Sequence, residues 1–288
     1  MSLVSIGIDY SGTEWKLCLL KDGRPTDCQR FIDGKDALNW LFHICALYSE
    51  LTIGFSSYLD CALSPLFALP DHELHSLFPS SDQHSLDPSL SDFLISLSSF
   101  SHHSYSLPSL RYLPTIPPHR LLIHPTMGTS TILCSIATLL YGMRQSQAAW
   151  TEMRFLCLEI GPWTSTISVV QDGLIIDGLA PGIRKVLDPA IYKQTFWEGL
   201  TYDLAGLMAV HHFEDIVISQ QSGSAEAALC KEEVIQRLSD LYQFYLYPQD
   251  EAHLVGFESA IGAALLVSGF SQSGPTAELA SHLLSVVS

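Results

Sequence analysis

Positive charge is the property that this sequence has least of. Its 288 residues contain 14 Lys and Arg against 30 Asp and Glu, so the formal net charge is −16. Nucleic acids and anionic lipid surfaces are bound through basic faces, and we therefore expect a protein that binds neither nucleic acid nor membrane. An anionic small molecule stays compatible with this composition, because backbone amides and a divalent metal can hold phosphate without a basic surface.

Long apolar runs and disorder-promoting composition are also missing. The chain has no uncharged apolar run long enough to span a membrane, which takes about 18 residues or more. Hydrophobic residues make up 47% and charged residues 15%, the reverse of the balance in disordered chains. No basic stretch followed by an apolar one opens the sequence, and residues 1–9 predict a strand there instead. We therefore expect a cytoplasmic protein.

Regularly spaced cysteines and several common site motifs are absent as well. The seven cysteines are scattered and no two form a C-x-x-C motif. Most of them lie in apolar stretches, so we expect reduced cysteines packed in the core, with neither disulfides nor a zinc site. The sequence also lacks G-x-x-x-x-G-K-S/T, G-x-G-x-x-G and G-x-S-x-G, which argues against P-loop, Rossmann and α/β-hydrolase sites.

What the sequence does contain is one order of strands and helices, present twice. The first half predicts three strands, a helix and a strand at residues 3–9, 15–21, 26–32, 36–49 and 51–55. The second half predicts three strands, a helix, a strand and a helix at residues 155–160, 165–171, 174–177, 188–209, 216–219 and 225–241. An Asp-Gly turn closes the second strand of each half, which is typical of a hairpin. The repeat predicts two α/β domains, at residues 1–148 and 149–288, with a further helix at 129–144.

A segment of different composition interrupts the first half at about residues 65–118. It is rich in Ser, Pro and His and contains no Lys. We expect an irregular insertion with one short helix at residues 92–99, and we predict that residues 70–108 are mobile or cover a cleft as a lid. Its histidines lack the spacing of metal ligands, which favours solvated loop side chains. They are His72, His75, His84, His102 and His103.

Acidic residues near the end of the first strand of each half are followed by small residues. The first motif is Ile6-Gly7-Ile8-Asp9-Tyr10-Ser11-Gly12-Thr13, and the second runs from Leu156 to Thr166 with Glu159 as its acid. Each predicts a strand, an acid and a tight hairpin, in which backbone amides can approach phosphate oxygens and the acid can hold Mg²⁺ or its waters. A third motif, residues 256–264, opens an apolar helix whose small residues favour close packing.

This order of motifs resembles the actin-like ATPase superfamily, which includes sugar and acetate kinases, actin and the large heat-shock chaperones. Residues 113–120, followed by Met127-Gly128-Thr129, and the pair Asp177-Gly178 with Gly182 are similar to a mainly archaeal family of uncharacterised proteins labelled predicted butyrate kinases. The resemblance implies two ribonuclease-H-like domains with mixed five-stranded sheets flanked by helices. It also implies a last helix, from Pro275, that packs back on the first domain.

The resemblance further implies a site for ATP and Mg²⁺. Asp9 and Glu159 would be the catalytic acids and would hold the metal. The nucleotide-binding positions carried over from the motifs are Ser11, Gly12, Thr13, Lys16, Gly161, Thr164, Thr166, Gln220, Gln221, Ser222 and Gly223.

Several of these positions depart from the superfamily pattern. Glu159 stands where Asp is usual, and the helix after Met127-Gly128-Thr129 begins without charged residues. Gln220 and Gln221 replace the usual glycines of the adenosine motif, and their side chains would occupy space that glycine leaves to a nucleotide. The candidates also have structural interpretations, with Asp9 capping its turn and Lys16 facing solvent.

Two functions from different classes stay open. One is Mg·ATP-dependent phosphoryl transfer to a small carboxylate or hydroxyl acceptor, with a nucleotide and a small molecule as partners and a homodimer left open. The other is a non-catalytic descendant of the same fold that acts as a binding or scaffold protein. The two acids favour the kinase, whereas the glutamine pair and the uncharged helix start favour the descendant.

Overall fold

The computed structural model describes residues 4–58, 60–67, 88–99, 103–124, 127–161, 164–180, 189–220, 225–247, 252–271 and 274–284. These residues belong to two compact units. Unit 1 is formed by Met1–Leu113, Thr129–Met143 and Phe257–Ser288, and unit 2 by Pro114–Gly128 and Arg144–Gly256. This division differs from a single cut at residue 148, because the chain passes between the units four times.

The described strands and helices follow each other in α/β order. The strands are β1 Val4–Tyr10, β2 Trp15–Lys21, β3 Arg24–Phe31, β4 Thr52–Ser57, β5 Ser64–Pro65, β6 His103–Ser106, β7 Phe155–Gly161, β8 Thr164–Gln171, β9 Leu174–Leu179, β10 Asp215–Gln220 and β11 Gln243–Leu246. The helices are α1 Gly34–Leu47, α2 Pro88–Ser98, α3 Pro118–Ile123, α4 Ser130–Gln145, α5 Pro189–His211, α6 Ala225–Leu238, α7 Glu258–Ser268 and α8 Pro275–Leu284. Short 3₁₀ turns lie at Leu110–Tyr112, Trp150–Glu152, Ala252–Leu254 and Gly269–Ser271.

Unit 1 contains a mixed sheet in the order β3-β2-β1-β4-β6-β5. β2 runs antiparallel to both β1 and β3, while β4 is parallel to β1 and β6 is parallel to β4. The turn between β2 and β3 places Asp22 at φ 51° and Gly23 at φ 74°, the left-handed geometry of a tight hairpin. The expected five strands are thus joined by the two-residue β5, and the first sheet has six strands.

The two faces of β1 meet different helices. Ile6 and Ile8 face a core that also contains side chains of α1 and α2. Gly7 and Asp9 share the opposite face because side chains alternate along a strand. A Cβ at Gly7 would overlap the carbonyl oxygen of Ala260, so α7 lies against β1 at backbone distance. The expected close packing by the small residues of the third motif is therefore confirmed.

The insertion between β4 and the third helix of the chain is more ordered than its composition indicates. Helix α2 buries Leu90, Phe93, Leu94 and Leu97 in the core of unit 1, and the ring of Phe93 stacks on Trp15 with centroids 4.0 Å apart. Strand β6 extends the sheet beside β4. The short helix expected at residues 92–99 is therefore present as α2, which begins four residues earlier, whereas β6 was not expected; that residues 70–108 are mobile or cover a cleft stays a prediction. His72, His75, His84 and His102 lie outside the described residues, and His103 is exposed in β6.

Unit 2 repeats the strand arrangement in the order β11-β10-β7-β8-β9. β8 is antiparallel to β7 and β9, and both β10 and β11 complete the parallel part of the sheet. Helices α5 and α6 contribute Leu200, Leu204 and Val234 to the core against Leu156 and Leu158. Strand β11 was not expected from the sequence, because its four residues lie in a stretch without regular alternation.

One pair of cysteines contradicts the expectation of reduced thiols. Cys18 of β2 and Cys28 of β3 are register partners and form a disulfide. Their separation along the chain carries no recognisable motif, but a hairpin brings directly opposite residues close together. The other cysteines, Cys45, Cys61, Cys134, Cys157 and Cys230, are free, as expected.

No helix within the described ranges is long and apolar enough to cross a membrane. Within the same ranges, no three or more His, Cys, Asp or Glu side chains are grouped so that they could hold a metal ion by themselves.

Candidate functional site

Asp9 forms the centre of the candidate site in unit 1. It lies one residue before the end of β1 and is 1% exposed. Its Oδ1 accepts hydrogen bonds from three hydroxyl groups, those of Ser56 at 3.0 Å, Thr131 at 3.2 Å and Ser259 at 3.0 Å. The donors come from β4, α4 and α7, so three separate elements converge on one carboxylate oxygen. The structural alternative for Asp9 was that it caps its own turn. The hydrogen bonds of its side chain instead come from other elements of unit 1.

The hydroxyl groups around Asp9 are themselves connected. Ser56 Oγ lies 2.9 Å from Ser259 Oγ and 3.2 Å from the carbonyl oxygen of Ile8. Each hydroxyl has one proton, so Ser56 can satisfy only one of its acceptors at a time. The neighbouring Ser130 ties the start of α4 to β4, since its Oγ accepts from the backbone N–H of Ser57 and donates to the carbonyl oxygen of the same residue.

The hairpin after Asp9 is exposed and tightly turned. Ser11, Gly12 and Thr13 are all solvent exposed. Gly12 has φ 91°, which an L side chain rarely adopts, and the Ser11 N–H donates to the carbonyl oxygen of Glu14 at 3.2 Å. The hydroxyl of Tyr10 donates to the carbonyl oxygen of Gly12 at 3.1 Å. The tight turn expected from the motif is therefore present, and its contact with a nucleotide stays a prediction.

Lys16 points inward, which resolves an alternative that strand periodicity left open. It is the register partner of Asp9 in β2, so the two side chains share one face of the sheet, and it is 1% exposed. Its Nζ lies 3.2 Å from Glu14 Oε1, and Arg30 Nε lies 3.5 Å from the other oxygen of Glu14. Glu14 therefore neutralises a buried lysine beside the candidate site, a role that the sequence analysis did not assign to it.

Glu159 occupies the equivalent position in unit 2. It is 3% exposed in β7, and its register partners are Ser219 in β10 and Thr166 in β8. The three residues form a row across the sheet that matches the row of Ser56, Asp9 and Lys16 in unit 1. Ser219 Oγ is buried and has no hydrogen-bond partner among the described residues. That Asp9 and Glu159 share one cleft and a metal stays a prediction.

The electrostatic influence of Glu159 is visible at Cys157, two residues earlier on the same face of β7. Burial raises the pKa of the Cys157 thiol, and the negative charge of Glu159 adds to the increase. Cys157 is consequently a packed apolar group and not a nucleophile.

The remaining nucleotide-binding candidates lie at strand ends. Gly161 ends β7, Thr164 begins β8 and Gln220 ends β10. The side chains of Thr164 and Gln220 lie outside the described residues, as do all of Gln221, Ser222 and Gly223. Their predicted contacts to a nucleotide therefore stay predictions.

A second buried carboxylate in unit 2 is fully paired. Asp177 in β9 is 0% exposed, and its Oδ2 contacts Arg120 Nη2 of α3 and His211 Nε2 of α5, the latter at 3.0 Å. Its Oδ1 accepts from the backbone N–H of Gly178 at 2.8 Å. Arg120 and His211 thus hold helices α3 and α5 to the edge strand of the sheet.

The residues that sequence reasoning missed are the hydroxyl donors to Asp9. Ser259 belongs to the third motif and Thr131 to the uncharged helix start, but neither was assigned to the site. Ser56 follows a predicted strand and was not singled out. A signal existed in the comparison of the two halves, since Ser56 in β4 and Ser219 in β10 are each the second-to-last residue of the strand beside the acid strand.

Comparison with known proteins gives a fold and one family match. The family described as "Protein of unknown function (DUF1464)" matches residues 63–187, less than half of the chain. No curated protein matches the sequence. Acetate kinase from Entamoeba histolytica is similar in structure with a TM-score of 0.52 and 10% identity, over 88% of this chain and 97% of that one.

Two sugar kinases are also similar in structure. A ROK family glucokinase from Streptomyces griseus in complex with glucose and AMPPNP has a TM-score of 0.45 at 12% identity, over 92% of this chain and 99% of that one. The ROK hexokinase from Thermus thermophilus has a TM-score of 0.44 at 13% identity, over 92% and 98%. The strand order and the likeness to acetate kinase assign the chain to the actin-like ATPase, ribonuclease-H-like fold, as the motifs predict.

Proposed function

We propose that the protein is a kinase-like nucleotide-binding protein that transfers a phosphoryl group from Mg·ATP to a small carboxylate or hydroxyl acceptor. The observation that carries the proposal is the environment of Asp9. It is a buried carboxylate at the end of a strand, beside an exposed glycine hairpin, and the described residues place no cation within ion-pair distance of it. A carboxylate acceptor is supported by the resemblance to predicted butyrate kinases and by the name of the acetate kinase relative.

The donors around Asp9 suit Mg²⁺. They are carboxylate and hydroxyl oxygens, the ligand type that this hard cation prefers. Mg²⁺ in nucleotide sites keeps several waters and is held by one or two carboxylates together with phosphates, so an all-protein cage is not required. When bound, the ion would neutralise negative charge on the phosphates. Asp9 and, in unit 2, Glu159 are the residues that would hold it or its waters.

The other residues of unit 1 contribute position and charge. The hairpin amides at Gly12 and Thr13 can approach phosphate oxygens, because no bulky side chain intervenes at Gly12, whereas the Ser11 N–H is already bonded to the carbonyl oxygen of Glu14. Lys16 lies on the same sheet face as Asp9 and supplies a positive charge that Glu14 now balances. In phosphoryl transfer, positioning and charge neutralisation carry most of the catalysis, and these residues supply both.

Calorimetric titration with Mg·ATP tests this proposal. Wild-type protein should bind, and Asp9→Asn, which keeps the shape but removes the charge, should weaken binding by about tenfold or more. Asp36→Asn is the matched control, because Asp36 is exposed in the first turn of α1 and lies outside the site. Wild type that does not bind at millimolar Mg·ATP, or Asp9→Asn that binds as well as wild type, would contradict the proposal and favour the non-catalytic descendant.

A further inference from the structure

The hydroxyl groups around Asp9 are arranged asymmetrically. All three donors reach Oδ1, although a carboxylate offers two oxygens with about four acceptor sites. No hydrogen bond from a described residue reaches Oδ2, and Oδ2 is not among the fully buried side-chain atoms that lack a partner. Among the described residues, the carboxylate is therefore held through one oxygen, and none of them donates a hydrogen bond to the second.

The donors are rigidly placed. Ser56 is 0%, Ser259 5% and Thr131 8% exposed, and each belongs to a regular element. The backbones of these elements are locked together, since a Cβ at Gly262 of α7 would overlap the carbonyl oxygen of Cys134 in α4. Thr131 and Ser259, joined by Ser56 when its single proton is directed to Asp9, restrict rotation of the carboxylate about its last bond. Such a restriction has little value for packing, but it fixes the direction in which the second oxygen points.

We propose that Ser56, Thr131 and Ser259 are positioning residues that hold Asp9 through Oδ1, so that Oδ2 is presented to Mg²⁺ or its waters. This inference rests on the proposed function. It gives the uncharged start of α4 a role, because Thr131 supplies a hydroxyl where the resembled family has charged residues. Partners of metal-binding carboxylates act in this way elsewhere, and their removal costs about 10–100-fold in metal affinity or activity.

The first test separates metal affinity from nucleotide affinity. The Mg²⁺ concentration for half-maximal ATP binding is measured by calorimetry for wild type, Thr131→Val and Thr131→Ser. Thr131→Val keeps the shape and removes the hydroxyl, and it should raise that Mg²⁺ concentration about tenfold, whereas ATP affinity at saturating Mg²⁺ should stay within about twofold. Thr131→Ser restores the hydroxyl and should restore the wild-type value.

The matched control is Thr138→Val in the same helix. The Thr138 hydroxyl donates to the carbonyl oxygen of Glu258 at 2.7 Å and makes no bond to Asp9. Thr138→Val should lower the thermal unfolding temperature as Thr131→Val does, but it should leave the Mg²⁺ concentration for half-maximal ATP binding unchanged. The inference is overturned if Thr131→Val and Thr138→Val need the same Mg²⁺ concentration for half-maximal ATP binding. It is also overturned if Thr131→Val loses ATP affinity equally at every Mg²⁺ concentration.

A second test needs no ligand and keeps the two proposals distinguishable. Thermal unfolding is compared for Thr131→Val, Asp9→Asn and the double variant. If Thr131 acts on Asp9, the double variant should lose less in unfolding temperature than the two single losses together, and strict additivity would overturn the positioning role. If wild type fails to bind Mg·ATP, the proposed function and the metal part of the inference fall together. Coupling in this cycle would still establish that Thr131 holds Asp9.

Discussion

Two buried charges in unit 1 are balanced in different ways. Lys16 has a carboxylate partner in Glu14, and Arg30 shares that partner. Asp9 has only neutral hydroxyl donors among the described residues. A buried ionised carboxylate without a cation is expensive, since hydroxyl donors recover only part of its lost hydration. A cation delivered by a ligand would lower that cost, which is the physical reason for proposing that a metal binds at Asp9.

A pH-dependent effect is expected at Asp203 in α5. Burial raises the pKa of this carboxyl group, and His124 opposes the increase. Because the folded-state pKa is raised, the contribution to stability is present below the ordinary pKa and is lost as the pH rises through the raised value. Asp203→Asn cannot ionise. The unfolding temperature of Asp203→Asn minus that of wild type should therefore increase between pH 4 and pH 7, as measured by thermal unfolding in matched buffers.

Asp240→Asn is the control for this comparison, because Asp240 is exposed in the turn after α6. Its unfolding temperature relative to wild type should change little over the same pH range. A decrease for Asp203→Asn towards neutral pH would mean that the ionised carboxylate is stabilised in the folded protein, contrary to the expected direction.

At the scale of elements, the anchoring of α2 is the feature that most changes the interpretation of the insertion. Phe93 is 0% exposed and stacks on Trp15, the first residue of β2. Phe93→Ala should destabilise unit 1 by about 3–5 kcal/mol, because a large buried side chain is lost and a cavity remains. Phe42→Ala in α1 is the control, since Phe42 is 50% exposed. Thermal unfolding should show a much larger loss for Phe93→Ala, and equal losses would mean that α2 is not part of the core.

Local signals explain which elements the sequence predicts. The Asp22-Gly23 and Asp172-Gly173 hairpins and the strands beside them are encoded within about ten residues, and both are present as expected. The middle strand of each meander is antiparallel to its neighbours, which confirms the predicted sheet start. Strands β6 and β11 are short and gain their stability from partners far along the chain, so no local pattern identifies them.

The same distinction applies to the candidate site. Asp9 could be predicted because an acid, a glycine and a strand lie within one short motif. Its hydroxyl donors are separated from it by 47, 122 and 250 residues, and no spacing rule connects such positions. The inward orientation of Lys16 likewise depends on which face of β2 the helix α7 covers, and this is a tertiary property.

At the scale of the whole molecule, the two units repeat one sheet. From the meander outwards, unit 1 has the order β3-β2-β1-β4-β6, followed by the two-residue β5, and unit 2 has the order β9-β8-β7-β10-β11, so the acid strand is third in both. The acids therefore occupy equivalent positions, which is the arrangement that the repeated motifs predict. The equivalence is not complete, because Ser56 donates to Asp9 whereas Ser219 Oγ finds no partner among the described residues.

The last prediction concerns the end of β10 and decides between the two classes of function. Gln220 and Gln221 stand where the resembled superfamily has glycine, and their side chains would fill space near a nucleoside. We expect wild type to bind Mg·ATP weakly, and Gln220→Gly combined with Gln221→Gly to bind about tenfold more tightly, which corresponds to about 1.4 kcal/mol. Calorimetric titration of both proteins measures this, with thermal unfolding as the check that each is folded. If only the double variant binds Mg·ATP, the wild type is a non-catalytic descendant, because a protein that does not bind the nucleotide cannot transfer its phosphoryl group. Equal affinities would show that the two glutamines lie away from the nucleoside, and the acids would then remain the residues that decide whether the protein acts on ATP.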